Sequence, residues 1–79
     1  MSAITVYTKP MCPQCDATKR HLARLGVEHV VVDVTVDRDG LARVREIGYA
    51  AVPVIVAGDV HWMGFRPDML DGLTTLTVS

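Results

Sequence analysis

Two cysteines, three residues apart, are the side chains of this sequence best suited to covalent chemistry. They stand in the segment Cys12-Pro13-Gln14-Cys15. Proline suits the first position of a helix, because the N–H that it lacks would have no partner there. The segment therefore predicts a helix with Cys12 as its N-cap and Cys15 as its third residue. Such a pair can hold two electrons, as a dithiol or as a disulfide.

The predicted position of Cys12 favours a reactive thiol. A thiolate at the start of a helix accepts hydrogen bonds from the unpaired N–H groups of the first turn and lies at the positive end of the helix dipole. These effects, together with the charge of Lys9 three residues upstream, are expected to lower the pKa of Cys12. Cys15 lies one turn deeper on the core-facing side, yet close enough to attack a disulfide at Cys12.

Other uses of the two cysteines fit the sequence less well. A structural zinc site needs four ligands, and the histidines at positions 21, 29 and 61 are scattered, with no second C-x-x-C or H-x-x-H. An iron–sulfur cluster would need ligands from a second subunit. A purely stabilising disulfide would close too short a loop to remove much unfolded-state entropy. Two unreactive core cysteines are the remaining alternative, and the proline between them at a strand-to-helix junction argues against it. No metal and no cofactor is predicted.

The first half of the chain predicts a βαβ unit that positions these cysteines. A strand over Ala3–Thr8 leads into the cysteine segment. A helix over Pro13–Leu25 follows, ended by Gly26. The valine-rich run His29–Val34 is typical of a buried parallel strand. The inward face of the helix is formed by Cys15, Thr18, Leu22 and Leu25.

The second half predicts a helix, a hairpin and a further helix. The first of these helices starts near Asp37 as N-cap and stops at Gly48, although the interior Gly40 weakens this prediction. The other elements are strands Val54–Ala57 and Val60–Met63 around a turn at Gly58-Asp59, and a helix Pro67–Leu73. The order is βαβαββα, which indicates a small α/β domain with a mixed sheet.

Length and composition indicate one globular domain over residues 1–79. Apolar residues make up 49% and charged residues 22%, and the net charge is −1. This composition excludes a disordered chain, and a length of 79 residues excludes a multidomain enzyme. The longest charge-free stretch, Ile47–Gly58, is too short to span a bilayer, and no apolar export segment stands at the start. We therefore expect a cytoplasmic monomer that contacts neither membrane nor nucleic acid.

Charge is unevenly distributed along the chain. Residues 1–25 carry four basic side chains and one acidic one, whereas residues 26–79 carry four basic and eight acidic ones. A solvated helix face is a simpler interpretation of the basic half than an anion-binding surface.

Three segments resemble the glutaredoxin-like proteins. YTKPMCPQC at residues 7–15 is similar to their active-site segment, and GY at 48–49 with AVPV at 51–54 resembles their cis-proline loop. WMGFRPD at 62–68 is similar to the W-S-G-F-R-P-D signature of the NrdH-redoxins, small electron donors to class Ib ribonucleotide reductases. These are glutaredoxin-like in sequence but thioredoxin-like in reductant. Met63 replaces the usual serine of the signature, and Pro13 the valine of many members.

The resemblance implies a fold and a set of site residues. The implied fold is thioredoxin-like, with a four-stranded mixed sheet and three helices. Cys12 corresponds to the attacking nucleophile and Cys15 to the resolving thiol. A cis Pro53 would hold Val52 so that its backbone pairs with an extended substrate chain. The implied partner-binding residues are Lys9, Met11, Pro13, Gln14, Val52, Pro53, Met63, Gly64, Phe65 and Arg66.

The resemblance also implies a function. NADPH-dependent thioredoxin reductase would reduce the Cys12–Cys15 disulfide, and Cys12 would then reduce the large subunit of ribonucleotide reductase. The alternative is a glutathione-dependent glutaredoxin that reduces mixed disulfides. Such proteins typically carry an aromatic residue where Gln14 stands, but they also use a cation like Lys9 against a glutathione carboxylate. A metal-binding or interaction module without redox activity is a third, less favoured hypothesis.

Overall fold

The computed structural model describes residues 4–78, which form four strands and three helices in the predicted order βαβαββα. The elements are β1 (Ile4–Thr8), α1 (Pro13–Leu25), β2 (Val30–Asp33), α2 (Arg38–Glu46), β3 (Val54–Ala57), β4 (Val60–Met63) and α3 (Pro67–Val78). Ala3, the predicted first residue of β1, lies outside the described residues.

The four strands form one mixed sheet in the order β2-β1-β3-β4. β1 runs parallel to β2 and antiparallel to β3, and β4 runs antiparallel to β3. In this register Tyr7 lies opposite Val54, which lies opposite Met63. The end of β1, the start of β3 and the end of β4 therefore share one end of the sheet. The predicted thioredoxin-like fold is confirmed.

The core lies between the sheet and the pair α1 and α3. Alternate residues of β1 are buried, because successive side chains of a strand point to opposite faces. Burial of each large aliphatic side chain stabilises the fold by roughly 1.5–3 kcal/mol. The buried cluster consists of Ile4, Val6, Leu22, Val27, Ile55, Ala57, Trp62, Leu70 and Leu73. No helix among residues 4–78 is both long enough and apolar enough to cross a membrane.

The prediction that β2 is a buried strand is wrong. Val30 is 61% exposed and Val31 44% exposed, although the strand is parallel to β1 as expected. Within residues 4–78, β2 lies at the edge of the sheet, with β1 as its one neighbouring strand. A short apolar run is compatible with an edge strand as well as with a central one, because its pattern does not encode strand order.

Local sequence signals explain where most of the helices begin and end. Cys12 caps α1, and Gly26 ends it in the left-handed conformation at φ 71°. Asp37 caps α2 by accepting a hydrogen bond from the Gly40 N–H at 2.8 Å. α3 continues to Val78 rather than ending at Leu73, because no glycine or proline follows Leu73 to stop it.

Candidate active site

Strand register brings three distant segments together at one end of the sheet. β1 ends at Thr8 and leads within four residues to Cys12. Pro53 immediately precedes Val54, whose neighbours across the sheet are Tyr7 and Met63. The cysteine segment, the loop before β3 and the turn after β4 are therefore adjacent in space.

The two cysteines are joined in a disulfide at the start of α1, with their Cα atoms 5.2 Å apart. Cys12 is the N-cap, and its Sγ accepts a hydrogen bond from the Cys15 N–H at 3.2 Å. This confirms the predicted cap. Cys12 is 7% exposed and Cys15 is fully buried. Of the two cysteines, Cys12 is therefore the more accessible to an incoming disulfide.

The residues that flank Cys12 project into solvent. Met11 is 96% exposed and has φ 58°, a left-handed conformation that side-chain-bearing residues rarely adopt. Pro13, the first residue of α1, is also exposed. These two exposed side chains border Cys12 on either side along the chain.

The loop before β3 contains a cis peptide bond between Val52 and Pro53, as predicted. Pro53 is fully buried, whereas Val52 is half-buried. The Gly64 N–H donates a hydrogen bond to the Pro53 carbonyl at 2.8 Å. The turn after β4 thus holds this loop directly by its backbone.

Gln14 connects α1 to the same turn. The Phe65 N–H donates a hydrogen bond to Gln14 Oε1 at 3.3 Å. The ring of Phe65 is half-buried, packs against the core and meets the His21 ring edge-on, with 5.8 Å between centroids. Trp62 belongs to the core. Gln14, Gly64 and Phe65, all predicted as site residues, are therefore brought together.

A groove of ≈ 200 Å³ adjoins Val52. It is lined by Lys9, Val34, Leu41, Val44, Arg45, Tyr49, Ala50, Ala51 and Val52. Lys9 and Arg45 supply two cations to an otherwise largely apolar lining. The Tyr49 hydroxyl hydrogen-bonds His61 Nδ1 at 2.8 Å, which ties the groove to β4. The sequence did not indicate Arg45 or Tyr49 as site residues. The one signal for Tyr49 was its place just before the cis-proline segment, and Arg45 had none.

Arg66, a predicted partner-binding residue, is exposed and pairs with Asp68. Its guanidinium donates two hydrogen bonds to the carboxylate of Asp68, at 3.3 and 3.2 Å. These hydrogen bonds hold the pKa of Asp68 below its ordinary value. Met63 is exposed at the end of β4. The described residues contain no group of three or more His, Cys, Asp or Glu side chains that could hold a metal ion.

Comparison with known proteins agrees with this geometry. The glutaredoxin family model matches residues 4–62. The glutaredoxin-like protein NrdH of Salmonella typhimurium is 44% identical over 71 residues, covering 90% of this chain and 88% of the relative. The chain belongs to the NrdH family of glutaredoxin-like proteins. With its cysteine pair at the head of α1, it is a thiol–disulfide oxidoreductase.

Solved structures extend the likeness from sequence to fold. The NrdH-redoxin of Escherichia coli superposes with a TM-score of 0.85 at 39% identity, covering 90% of this chain and 93% of that one. A glutaredoxin from Archaeoglobus fulgidus gives a TM-score of 0.76 at 28% identity, with coverage of 92% and 86%. The NrdH family thus shares its architecture with glutaredoxins, so the reductant is a question of surface chemistry rather than of fold.

Proposed function

We propose that the chain carries electrons from thioredoxin reductase to ribonucleotide reductase by cycling Cys12 and Cys15 between dithiol and disulfide. The observation that carries the proposal is the cysteine pair at the head of α1 in a chain of the NrdH family. The solved Escherichia coli relative is described as having a thioredoxin-like activity profile.

The first half-reaction is thiol–disulfide exchange at Cys12. The Cys12 thiolate attacks one sulfur of the substrate disulfide, so that a mixed disulfide forms and the other substrate sulfur leaves as a thiolate. The hydrogen bond that Cys12 Sγ accepts from the Cys15 N–H, together with the positive end of α1, stabilises the attacking thiolate.

The second half-reaction releases the reduced substrate. Cys15 loses its proton and attacks Cys12 Sγ, which forms the Cys12–Cys15 disulfide and frees the second substrate thiolate. The two substrate thiolates take up the two protons that the cysteines gave up. A dithiol of thioredoxin reductase, itself reduced by NADPH, then returns two electrons to the pair.

The loop at Val52 and Pro53 is proposed to align the substrate chain. The half-buried Val52 forms the cis bond with Pro53, at the end of the sheet where the cysteines lie. An extended chain that pairs with the Val52 backbone would place its cysteine beside Cys12. Around this loop, the exposed Met11 and Met63 supply apolar surface for a protein partner.

The second candidate is glutathione-dependent reduction, and one observation favours it. Lys9 and Arg45 line the groove beside Val52, where two cations would attract the carboxylates of glutathione. Against it, Gln14 offers no aromatic face, and its side chain is engaged by the turn after β4. We therefore favour thioredoxin reductase. The cytoplasmic location and the monomeric state stay predictions.

Reduction by the two systems in parallel tests the proposal. The oxidised chain is incubated with NADPH and thioredoxin reductase, or with NADPH, glutathione and glutathione reductase, and NADPH consumption is followed with insulin as terminal disulfide. We expect rapid turnover in the first system and little in the second. Equal or faster turnover with glutathione would refute the proposed reductant, and Lys9→Met should then slow that turnover. Reduction of an oxidised class Ib ribonucleotide reductase large subunit tests the acceptor separately.

A further inference from the structure

Gln14, which lies between the two cysteines in the sequence, contacts the turn after β4. Its Oε1 accepts the Phe65 N–H at 3.3 Å, across 51 positions of sequence. A Cβ at Gly64 would lie 3.4 Å from the same oxygen. The carboxamide oxygen therefore rests directly against the backbone of the turn after β4, and it does so from the first turn of the helix that carries Cys12.

The turn that Gln14 contacts is also bonded to the loop that precedes β3. The Gly64 N–H is held by the Pro53 carbonyl at 2.8 Å, and the next N–H, of Phe65, is held by Gln14. Successive backbone groups of one turn thus connect the cis-proline loop to α1. Further along α1, His21 meets the Phe65 ring edge-on, on the same side of the helix as Gln14.

We propose that Gln14 is a positioning residue for protein substrates. Its carboxamide oxygen fixes the turn at Gly64 and Phe65 relative to Cys12, so that the surface around the nucleophile is preorganised for a large partner. The chemistry at sulfur does not need this contact. Loss of the contact should therefore weaken reactions with protein disulfides and leave reactions with small disulfides nearly unchanged.

The expected size of the effect follows from the value of one hydrogen bond. A net contribution of about 1 kcal/mol corresponds to a change of about fivefold in an equilibrium or rate ratio. Gln14→Met keeps the length of the side chain and removes the acceptor. Gln14→Glu keeps an acceptor oxygen. It also adds a negative charge, whose effect on the Cys12 thiolate is the same for both substrates. Arg20→Met, on an exposed part of the same helix, is the matched control.

The test uses single-turnover reactions of the chemically reduced full chain, so it depends on the oxidoreductase activity and not on thioredoxin reductase or ribonucleotide reductase. Rates are measured with insulin and with the small disulfide 5,5′-dithiobis(2-nitrobenzoate). For Gln14→Met we expect the ratio of the insulin rate to the small-disulfide rate to fall about fivefold. For Gln14→Glu and Arg20→Met we expect the ratio to stay within about twofold of the wild type.

A direct readout accompanies the kinetics. In Gln14→Met, the Phe65 amide should exchange faster with solvent than in Arg20→Met, and the melting temperature should fall by roughly 4–8 °C, as expected for the loss of one hydrogen bond in a domain of this size. An equal loss with both disulfides would mean that Gln14 acts on the sulfur chemistry and would overturn the proposal. An unchanged ratio would overturn it as well, because the contact would then have no effect on substrate selection.

Discussion

Replacement of Gly40 by alanine tests the packing of α2 against the sheet. Gly40 is buried in the first turn of α2, and a Cβ at this position would lie 2.6 Å from Val32 Cγ1. This distance is well inside van der Waals contact. The valine cannot simply rotate away, because its branched side chain is stiff about χ1. The helix and the strand must therefore move apart in Gly40→Ala.

The magnitude is a balance of two opposing effects. Overpacking of this kind costs roughly 1–3 kcal/mol. Alanine in place of glycine inside a helix stabilises the helix by about 1 kcal/mol. We expect Gly40→Ala to lower the free energy of unfolding by about 1 kcal/mol in total. In a domain of this size that loss lowers the melting temperature by roughly 4–8 °C.

A double-mutant cycle with Val32→Ala isolates the cause. Val32→Ala removes the Cγ1 atom that an added Cβ would meet. In that background the helix-propensity gain remains, so Gly40→Ala should become stabilising by up to about 1 kcal/mol. Urea unfolding at equilibrium, followed by circular dichroism, measures all four proteins. If Gly40→Ala has the same effect in both backgrounds, or stabilises the wild type, the steric argument is wrong.

Three further predictions concern the site. Cys12→Ser should abolish disulfide reduction, whereas Cys15→Ser should still attack a substrate disulfide and should accumulate mixed disulfides. If iodoacetamide near neutral pH labels Cys12→Ser but not Cys15→Ser, the roles of the two cysteines are reversed. The Asp68 carboxyl should titrate by NMR below its ordinary pKa of 3.8, and Arg66→Gln should raise this pKa. Because the pKa is lower in the folded state, the contact with Arg66 stabilises the fold at pH values above the unfolded-state pKa. This stabilisation is lost as the pH falls through the folded-state pKa. Met11→Gly should raise the free energy of unfolding by up to about 1 kcal/mol in urea titrations, because glycine adopts φ 58° without steric cost; a clear loss of stability would contradict this.

The sequence by itself determined the features that depend on neighbours within a turn or two. Cys12 caps α1 because Pro13 starts the helix, and the Cys15 N–H is then within reach of Sγ. The bounds of α1 and of the β3–β4 hairpin followed from similar short-range signals. The resemblance in three short segments was sufficient for the family, the fold and the cis bond at Pro53.

Only the tertiary structure decided what depends on strand order and register. The valines of β2 are exposed because this strand lies at the sheet edge, a position that a run of valines does not encode. Gly40 weakened the prediction of α2, yet the helix needs it there, because Val32 occupies the space of a side chain. Gln14 meets Phe65 because β4 ends beside the start of α1. Such contacts join residues far apart along the chain, so local periodicity carries no information about them, and packing of the whole domain fixes them.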